Sequence, residues 1–363
     1  MASSATSPQS IRTVLKNLKT IRRMAFDIGQ SVVKIAYTAT VAKKRTTQEK
    51  KVCQNSDLLS LSIYGGTFQL VNDSKHALRL YCIQVRLDDF EAVLDYIAEN
   101  GCIATKKATF ASTSSTHHVE QMIVEKLGLE LHKVKEMDCL VRGTNFLMRN
   151  IEAESFTYDH HNETCRYHFE TIRPSMICPY LLVNVGTGVS VFKVDGDGQY
   201  ERVGGSSLGG GCFFGLGNLL TSEMPLDLDE MMRMAEDGDH RQFDILVSDI
   251  YGGKFTNLGL SGDLIAGSFG KCARKHLADN LKTCPDFNKN VMRSLLLMIS
   301  NSIGQFAFLY AQREKTNRIY FDGFLIRNHA IIMRTISFAI EFWSEVGLCH
   351  CIIHPRFIFT CYS

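Results

Sequence analysis

The stretch from Tyr180 to Gly217 constrains the fold more than any other. The apolar run Leu181-Leu182-Val183 leads into Asn184-Val185-Gly186-Thr187-Gly188, and apolar alternation resumes at Val189, Val191 and Val194. Asp195-Gly196-Asp197-Gly198 is a turn, and Tyr200 to Val203 is extended again. The pattern predicts two strands about a glycine-rich elbow, then a hairpin. A second cluster follows, Gly204, Gly205, Gly209, Gly210 and Gly211, opening a helix. Such a layout suits phosphate, because glycine lets backbone amides approach an oxyanion and a helix N-terminus carries partial positive charge. A tight turn asks for the same residues, so neither cluster by itself selects a ligand.

An echo lies upstream. Met24-Ala25-Phe26-Asp27-Ile28-Gly29-Gln30-Ser31-Val32-Val33-Lys34 is again a strand, an Asp-x-Gly elbow and a returning strand. Asp27-Ile28-Gly29 and Asn184-Val185-Gly186 sit about half a chain apart, which predicts two similar α/β lobes facing each other across a nucleotide cleft.

The chain of 363 residues is long enough for one large or two medium domains. Hydrophobic content of 45% with 21% charged residues is that of a globular protein, and a net charge of +2 gives no reason to invoke nucleic acid. The apolar runs read as too short to span a bilayer. Twelve cysteines are scattered without a C-x-x-C pair, and Cys349-His350-Cys351 has no companion ligands. Reduced thiols in the cytosol are the expectation. His160-His161 beside Glu163 and Cys165 matches no zinc spacing. Residues 1–23 lack acidic residues, which a mitochondrial address would share; a solvated tail or short leading helix is the preferred reading.

Along the rest of the chain, Ala39–Lys51 reads as a loop, and Leu58–Val71 and Leu78–Val85 as strands. Leu87–Ile97 has helical spacing and closes on Asn100-Gly101. Lys107–Ala111 reads as a strand, His117–Leu127 as a helix stopped by Gly128, and Glu152–Met176 as a surface hairpin. Helices are expected over Leu226–Gly238, His240–Tyr251, Asn288–Arg313 and Ala330–Phe342, with a buried strand at Arg318–Phe321. In Asn288–Arg313 the buried face is read as Val291, Leu295, Leu296, Ile299, Ile303, Phe306 and Leu309, with Met292 and Met298 as core filler. Glu136 and Asp138 stand beside an apolar helical pattern; composition alone reads them as helix-start acids favoured by the helix dipole.

The paired elbows, with Lys135-Glu136-Met137-Asp138-Cys139-Leu140, Asp249-Ile250-Tyr251-Gly252-Gly253, Ser268-Phe269-Gly270 and Gly323 to Arg327, resemble the eukaryotic-type (type II) pantothenate kinases. These belong to the actin, Hsp70 and sugar-kinase superfamily, and the resemblance runs from Asp27 to about Trp343. It implies an α/β fold of two ribonuclease-H-like lobes: 24–180, with the first phosphate hairpin, and 181–363, with the second hairpin, the acceptor and adenosine sites and a dimer interface. It implies ATP-dependent phosphorylation of pantothenate in the cytoplasm. Glu136 falls at the place of the catalytic base. Asp27 would hold Mg²⁺, Gly29, Gln30 and Ser31 would face the phosphates, and Lys34 would add positive charge. Gly209, Gly210 and Gly211 would line the other wall of the ATP site, and Gly323 and Arg327 would face the base and ribose. Thr187, Ser190 and Arg202 would hold pantothenate, whose carboxylate calls for an arginine and hydroxyls. Homodimerisation and feedback inhibition by acyl-CoA are implied by resemblance alone.

Three departures stand against that pattern. The first loop reads Asp27-Ile28-Gly29-Gln30-Ser31 where the family has D-I-G-G-T. Ser112-Thr113-Ser114-Ser115-Thr116 replaces T-G-G-G-A. The end, His354-Pro355-Arg356-Phe357-Ile358-Phe359-Thr360-Cys361-Tyr362-Ser363, replaces H-E-G-Y-F-G-A-V-G-A and reads as a truncated or alternatively spliced tail. The competing expectation is therefore an impaired paralogue that binds CoA thioesters or dimerises as a regulatory subunit. A sugar kinase of the same superfamily is a third.

Overall fold

A computed structural model describes residues 13–29, 32–42, 63–72, 76–104, 107–112, 117–150, 155–159, 166–170, 173, 176–221, 227–253, 260–273, 282–326, 329–344 and 349–353. Gln30, Ser31, Arg327, residues 113–116, His160-His161 and the tail from His354 lie outside the described residues. The chain divides into two compact units, one of residues 1–152, 172–177 and 356–363, the other of 153–171 and 178–355.

The first unit is a six-stranded mixed sheet. Its strands are β1 (Ile21–Ile28), β2 (Val32–Ala42), β3 (Ile63–Asn72), β4 (His76–Arg86), β5 (Lys107–Ser112) and β6 (Glu130–Lys133), in the order β3-β4-β2-β1-β5-β6. β1 runs antiparallel to β2 and parallel to β5, and β5 runs parallel to β6. One face carries Phe26, Ile28, Val33, Ile35, Tyr37, Tyr81, Ile83 and Val85 into the core. Helix α1 (Phe90–Asn100) covers it with Phe90, Val93, Leu94 and Ile97, the i, i+3, i+4, i+7 stripe that the spacing predicts. Helix α2 (His117–Leu127) adds Val119 and Ile123, and helix α3 (Glu136–Asn150) follows β6. The N-terminal segment is pinned to the sheet by Tyr37, whose hydroxyl donates to the Lys16 carbonyl at 2.7 Å, and by Asn17, which donates to the Tyr81 hydroxyl at 2.6 Å.

Several expectations shift here. β2 extends through Ala42, so the loop begins later than Ala39. β6 occupies Glu130–Lys133, too short and too exposed to show alternation. Gly128 stops α2 with φ +62, as a left-handed C-terminal glycine does. Gly101 does not: its φ is −96, and glycine is needed because a Cβ there would meet the Ile97 carbonyl oxygen at 2.5 Å.

The second unit holds β7 (Ser155–Tyr158), β8 (Tyr167–Glu170), β9 (Tyr180–Val185), β10 (Val189–Gly196) and β11 (Gln199–Ser206). Helices α4 (Gly210–Leu220) and α5 (Leu228–Asp237) come next, then the short β12 (Ile245–Leu246), α6 (Val247–Tyr251) and β13 (Ile265–Gly267). The long α7 (Phe287–Glu314), β14 (Arg318–Asp322), α8 (Ala330–Trp343) and β15 (Cys349–Ile353) complete it. Its main sheet has the order β11-β10-β9-β14-β15-β7-β8, with β9, β14 and β15 parallel. The core packs Val183, Val185, Val191 and Phe321 against Leu295, Leu296, Ile299 and Ile303 of α7 and Ile332, Ile336 and Ile340 of α8. α7 and α8 approach closely at Gly304, where a Cβ would stand 2.5 Å from that of Ala339.

Asp227 caps α5 by accepting the Glu230 amide at 2.8 Å. Met292 is buried in the core, Met298 and Phe306 are packed against it, but Leu309 is 52% exposed and leaves the predicted face. The expectation that no run could span a bilayer is corrected for α7. It is long and apolar enough to cross a membrane, and 56% of that window is buried inside the protein, which accounts for its apolarity. The helix expected over His240–Tyr251 is instead a 3₁₀ turn, a strand and one short helix. Cys349-His350-Cys351 lies in β15, beside Arg318-Ile319-Tyr320 of β14.

Candidate active site

In the first unit the parallel strands β1, β5 and β6 end on one edge of the sheet. Ligands gather at such carboxyl edges because loops and helix N-termini collect there. Asp27 and Gly29 lie at the end of β1, and Glu136 opens α3 just beyond β6. Asp27 is in register with Lys34 on β2, and the pairing places both side chains on one face. Lys34 Nζ donates to Asp27 Oδ2 at 2.8 Å, and the Asp27 side chain is only 14% exposed.

Glu136 reaches solvent, yet protein crowds its carboxyl. That partial burial, followed by the negative charge of Asp27, raises its pKa above the ordinary carboxylate value, and Lys34 opposes the rise. Two carboxylates and an ammonium thus share one electrostatic environment. A raised pKa makes a carboxylate a stronger proton acceptor once it is ionised. The helix-start reading of Glu136 is also met, since it stands in the first turn of α3.

In the second unit the elbow 186–188 joins β9 to β10 and carries α4 against it. Gly210 donates its amide to the Gly186 carbonyl and Gly211 to the Thr187 carbonyl, each at 2.8 Å. A Cβ on Gly209 would lie 2.8 Å from the Gly188 carbonyl carbon, and one on Gly211 2.6 Å from Thr187 Cγ2. The glycine triplet therefore seats the N-terminus of α4 on the elbow, and these two amides face protein carbonyls. Gly323 follows β14 with φ +123, and a Cβ there would stand 2.4 Å from the Val185 carbonyl oxygen. Asn184 and Asp322 are register partners at the same edge, with Asn184 Nδ2 3.4 Å from Asp322 Oδ2.

Ser190 and Arg202 lie on the β10–β11 hairpin, and Thr187 stands in the elbow that precedes it. Ser190 pairs with Gly205 and Phe192 with Arg202, with a register shift between them. The extra residue, Val203, turns Arg202 to the face of Ser190, as bulges do. The Arg202 guanidinium lies over Gly205, with an Nη 2.6 Å from where a Cβ would be. Thr187 and Arg202 are exposed and Ser190 half-buried. A guanidinium and two hydroxyls make a carboxylate-binding set. Behind this face, Arg313 donates to the Val203 carbonyl at 2.8 Å and stacks on Tyr310, whose ring fills the space left by Gly204. Sequence reasoning missed Arg313 and Tyr310 as supports; the Gly204-Gly205 pair was the signal that something packs there closely.

Among the described residues no group of three or more His, Cys, Asp or Glu is arranged to hold a metal ion. Asp27 offers a single carboxylate, which suffices for magnesium when substrate phosphates and water complete its shell.

The molecule is an α/β protein of two mixed sheets, each with an elbow at the carboxyl ends of parallel strands. A family model described as Fumble matches residues 23–354, and the chain belongs to that family. It is 34% identical over 332 residues to "Pantothenate kinase" of Schizosaccharomyces pombe, covering 91% of this chain and 77% of that one. It is 37% identical over 336 residues to "Pantothenate kinase 2" of Arabidopsis thaliana, covering 90% and 36%. It is 40% identical over 339 residues to "4'-phosphopantetheine phosphatase" of Mus musculus, covering 92% and 39%. The chain thus spans under two fifths of the length of the mouse and plant relatives. Among solved structures, a glucokinase from Balamuthia mandrillaris in complex with glucose is similar over 97% of this chain and 96% of that chain, with 12% identity and a TM-score of 0.44.

Proposed function

We propose that the protein is a pantothenate kinase, transferring the γ-phosphoryl group of ATP to the primary hydroxyl of pantothenate, the opening step of coenzyme A synthesis. The observation that carries the proposal is the grouping of Asp27, Lys34 and Glu136 at one carboxyl edge, with the Glu136 pKa raised. Glu136 accepts the hydroxyl proton as that oxygen attacks phosphorus. Asp27 is the residue that would hold Mg²⁺, which when bound neutralises charge on the phosphates. Lys34 supplies a further positive charge. Arg202, Thr187 and Ser190 hold the carboxylate end of pantothenate. Gly29, Gln30 and Ser31 are assigned to the phosphates, Gly209, Gly210 and Gly211 to ATP as well, and Gly323 and Arg327 to its adenosine end.

The assignment extends to a cytoplasmic homodimer under acyl-CoA feedback. The exposed aromatic row Phe338, Phe342 and Trp343 along α8 is the surface that supports self-association.

A second reading, a paralogue that binds CoA thioesters without transfer, is favoured by two observations. Gln30 replaces a glycine of the first phosphate loop, and one 40% identical relative bears the name of a phosphatase. ATP- and Mg²⁺-dependent phosphorylation of pantothenate by purified protein, run beside CoA-thioester binding, decides between them. Transfer selects the kinase; binding without transfer selects the paralogue.

A further inference from the structure

The row that contains Asp27 and Lys34 continues through β4 to Tyr64 of β3. Lys34 on β2 is in register with Asp27 on one side and with Gln84 of β4 on the other. Directly paired residues on neighbouring strands share a face, with Cβ atoms about 5 Å apart. Lys34 therefore stands between a carboxylate and an amide, within reach of both along its four-carbon stem.

Gln84 is out of place as a core residue. It is 2% exposed, and its Oε1 has no hydrogen-bond partner. A buried acceptor left unpaired is destabilising, and such a group calls for a physical account. Arg86, two residues along the same strand face, donates to Asp88 at 3.0 Å. Gln84 stands in register with Lys34 of β2 on one side and with Tyr64 of β3 on the other, and Lys34 carries three N–H groups, one of them on Asp27.

We infer that Gln84 is the second acceptor of the Lys34 ammonium. When the Asp27 carboxylate is occupied by a cation or removed, Lys34 passes to Gln84 Oε1. Gln84 is thus a positioning residue acting through Lys34. The catalytic part of this role rests on the kinase reading; the hand-off itself does not.

The test uses full-length protein without nucleotide and reads acylation of Lys34 by mass spectrometry of its peptide. Gln84→Met, nearly isosteric, leaves Lys34 labelling unchanged while Asp27 is present. In an Asp27→Ala background Gln84 holds the ammonium, so adding Gln84→Met raises labelling about tenfold, the scale of one lost charge-assisted hydrogen bond. Equal labelling of Asp27→Ala and the double variant overturns the hand-off. Unfolding midpoints give a second reading that labelling chemistry does not touch. Gln84→Met raises or preserves the midpoint in the natural background, where it removes an unpaired acceptor, and lowers it in Asp27→Ala. The same sign in both backgrounds overturns the proposal. Should the methionine variant not fold, Gln84→Glu in Asp27→Ala serves instead, with Lys34 labelling falling below that of Asp27→Ala alone; an unchanged rate contradicts the inference. With phosphoryl transfer established, Gln84→Met raises the KM for ATP and leaves that for pantothenate unmoved, and an unmoved KM for ATP removes the positioning role. Absence of transfer in the natural protein would overturn the kinase reading and leave the labelling result standing.

Discussion

Gly323→Ala is the substitution whose consequence follows most directly from geometry. Gly323 has φ +123, a region that L-residues rarely enter, and its would-be Cβ lies 2.4, 2.6 and 2.7 Å from the O, C and N atoms of Val185. All three are backbone atoms of β9, which pairs on both sides in the centre of its sheet. No rotamer change relieves the overlap. Strain at φ adds about 1–3 kcal/mol and overpacking about 1–3 kcal/mol, so a loss of roughly 2–6 kcal/mol is expected. With a urea slope of about 3 kcal/mol/M, the midpoint of the second unit falls by roughly 0.7–2 M. Gly215→Ala is the matched control. Gly215 lies inside α4 with open space around its Cβ position, and alanine there stabilises by about 0.5–1 kcal/mol. Urea unfolding followed by circular dichroism reads both. The two alanines must move the midpoint in opposite directions; a Gly323→Ala midpoint at or above the natural one would refute the reasoning.

Other outcomes follow from the two residue clusters. A base must be ionised to act, so activity falls as pH drops through the raised pKa of Glu136, and the acid limb of kcat lies above the usual carboxylate range. Lys34→Met removes the charge that lowers this pKa, so the limb moves to higher pH; a limb that moves down or stays contradicts the cluster. The same raised pKa means that stability is lost as pH rises through it, so Glu136→Gln is slightly more stable than the natural protein at neutral pH, read by thermal melting. Arg202→Ala raises the KM for pantothenate by roughly 10- to 100-fold, the worth of a charged hydrogen bond; an effect confined to ATP would break the acceptor assignment.

Much of this was legible in the residues themselves. The strand-elbow-strand pattern at Asp27 and at Asn184 recovers the hairpins β1–β2 and β9–β10, and the 3.6-residue spacing recovers α1, α7 and α8. Local pattern carries no information about which distant strand pairs with which. Gln84 reads as one polar residue in an alternating strand, and only the register that joins residues 27, 34 and 84 gives it meaning. Arg202 was singled out by resemblance, but its orientation toward Ser190 depends on a bulge at Val203 that alternation hides. The segment 240–251 looked helical because short elements leave too few residues to separate a period of two from one of 3.6. Leu309 was assigned to the core by periodicity, although α7 turns that position outward near its end.

The most direct measurement is transfer of the γ-phosphoryl group from ATP to pantothenate in the presence of Mg²⁺, comparing the natural protein with Glu136→Gln. The account predicts formation of 4'-phosphopantothenate by the natural protein and its near-complete loss in the variant, with ATP binding retained in both. Equal turnover by the two proteins, or no transfer by a natural protein that binds ATP and pantothenate, would contradict it.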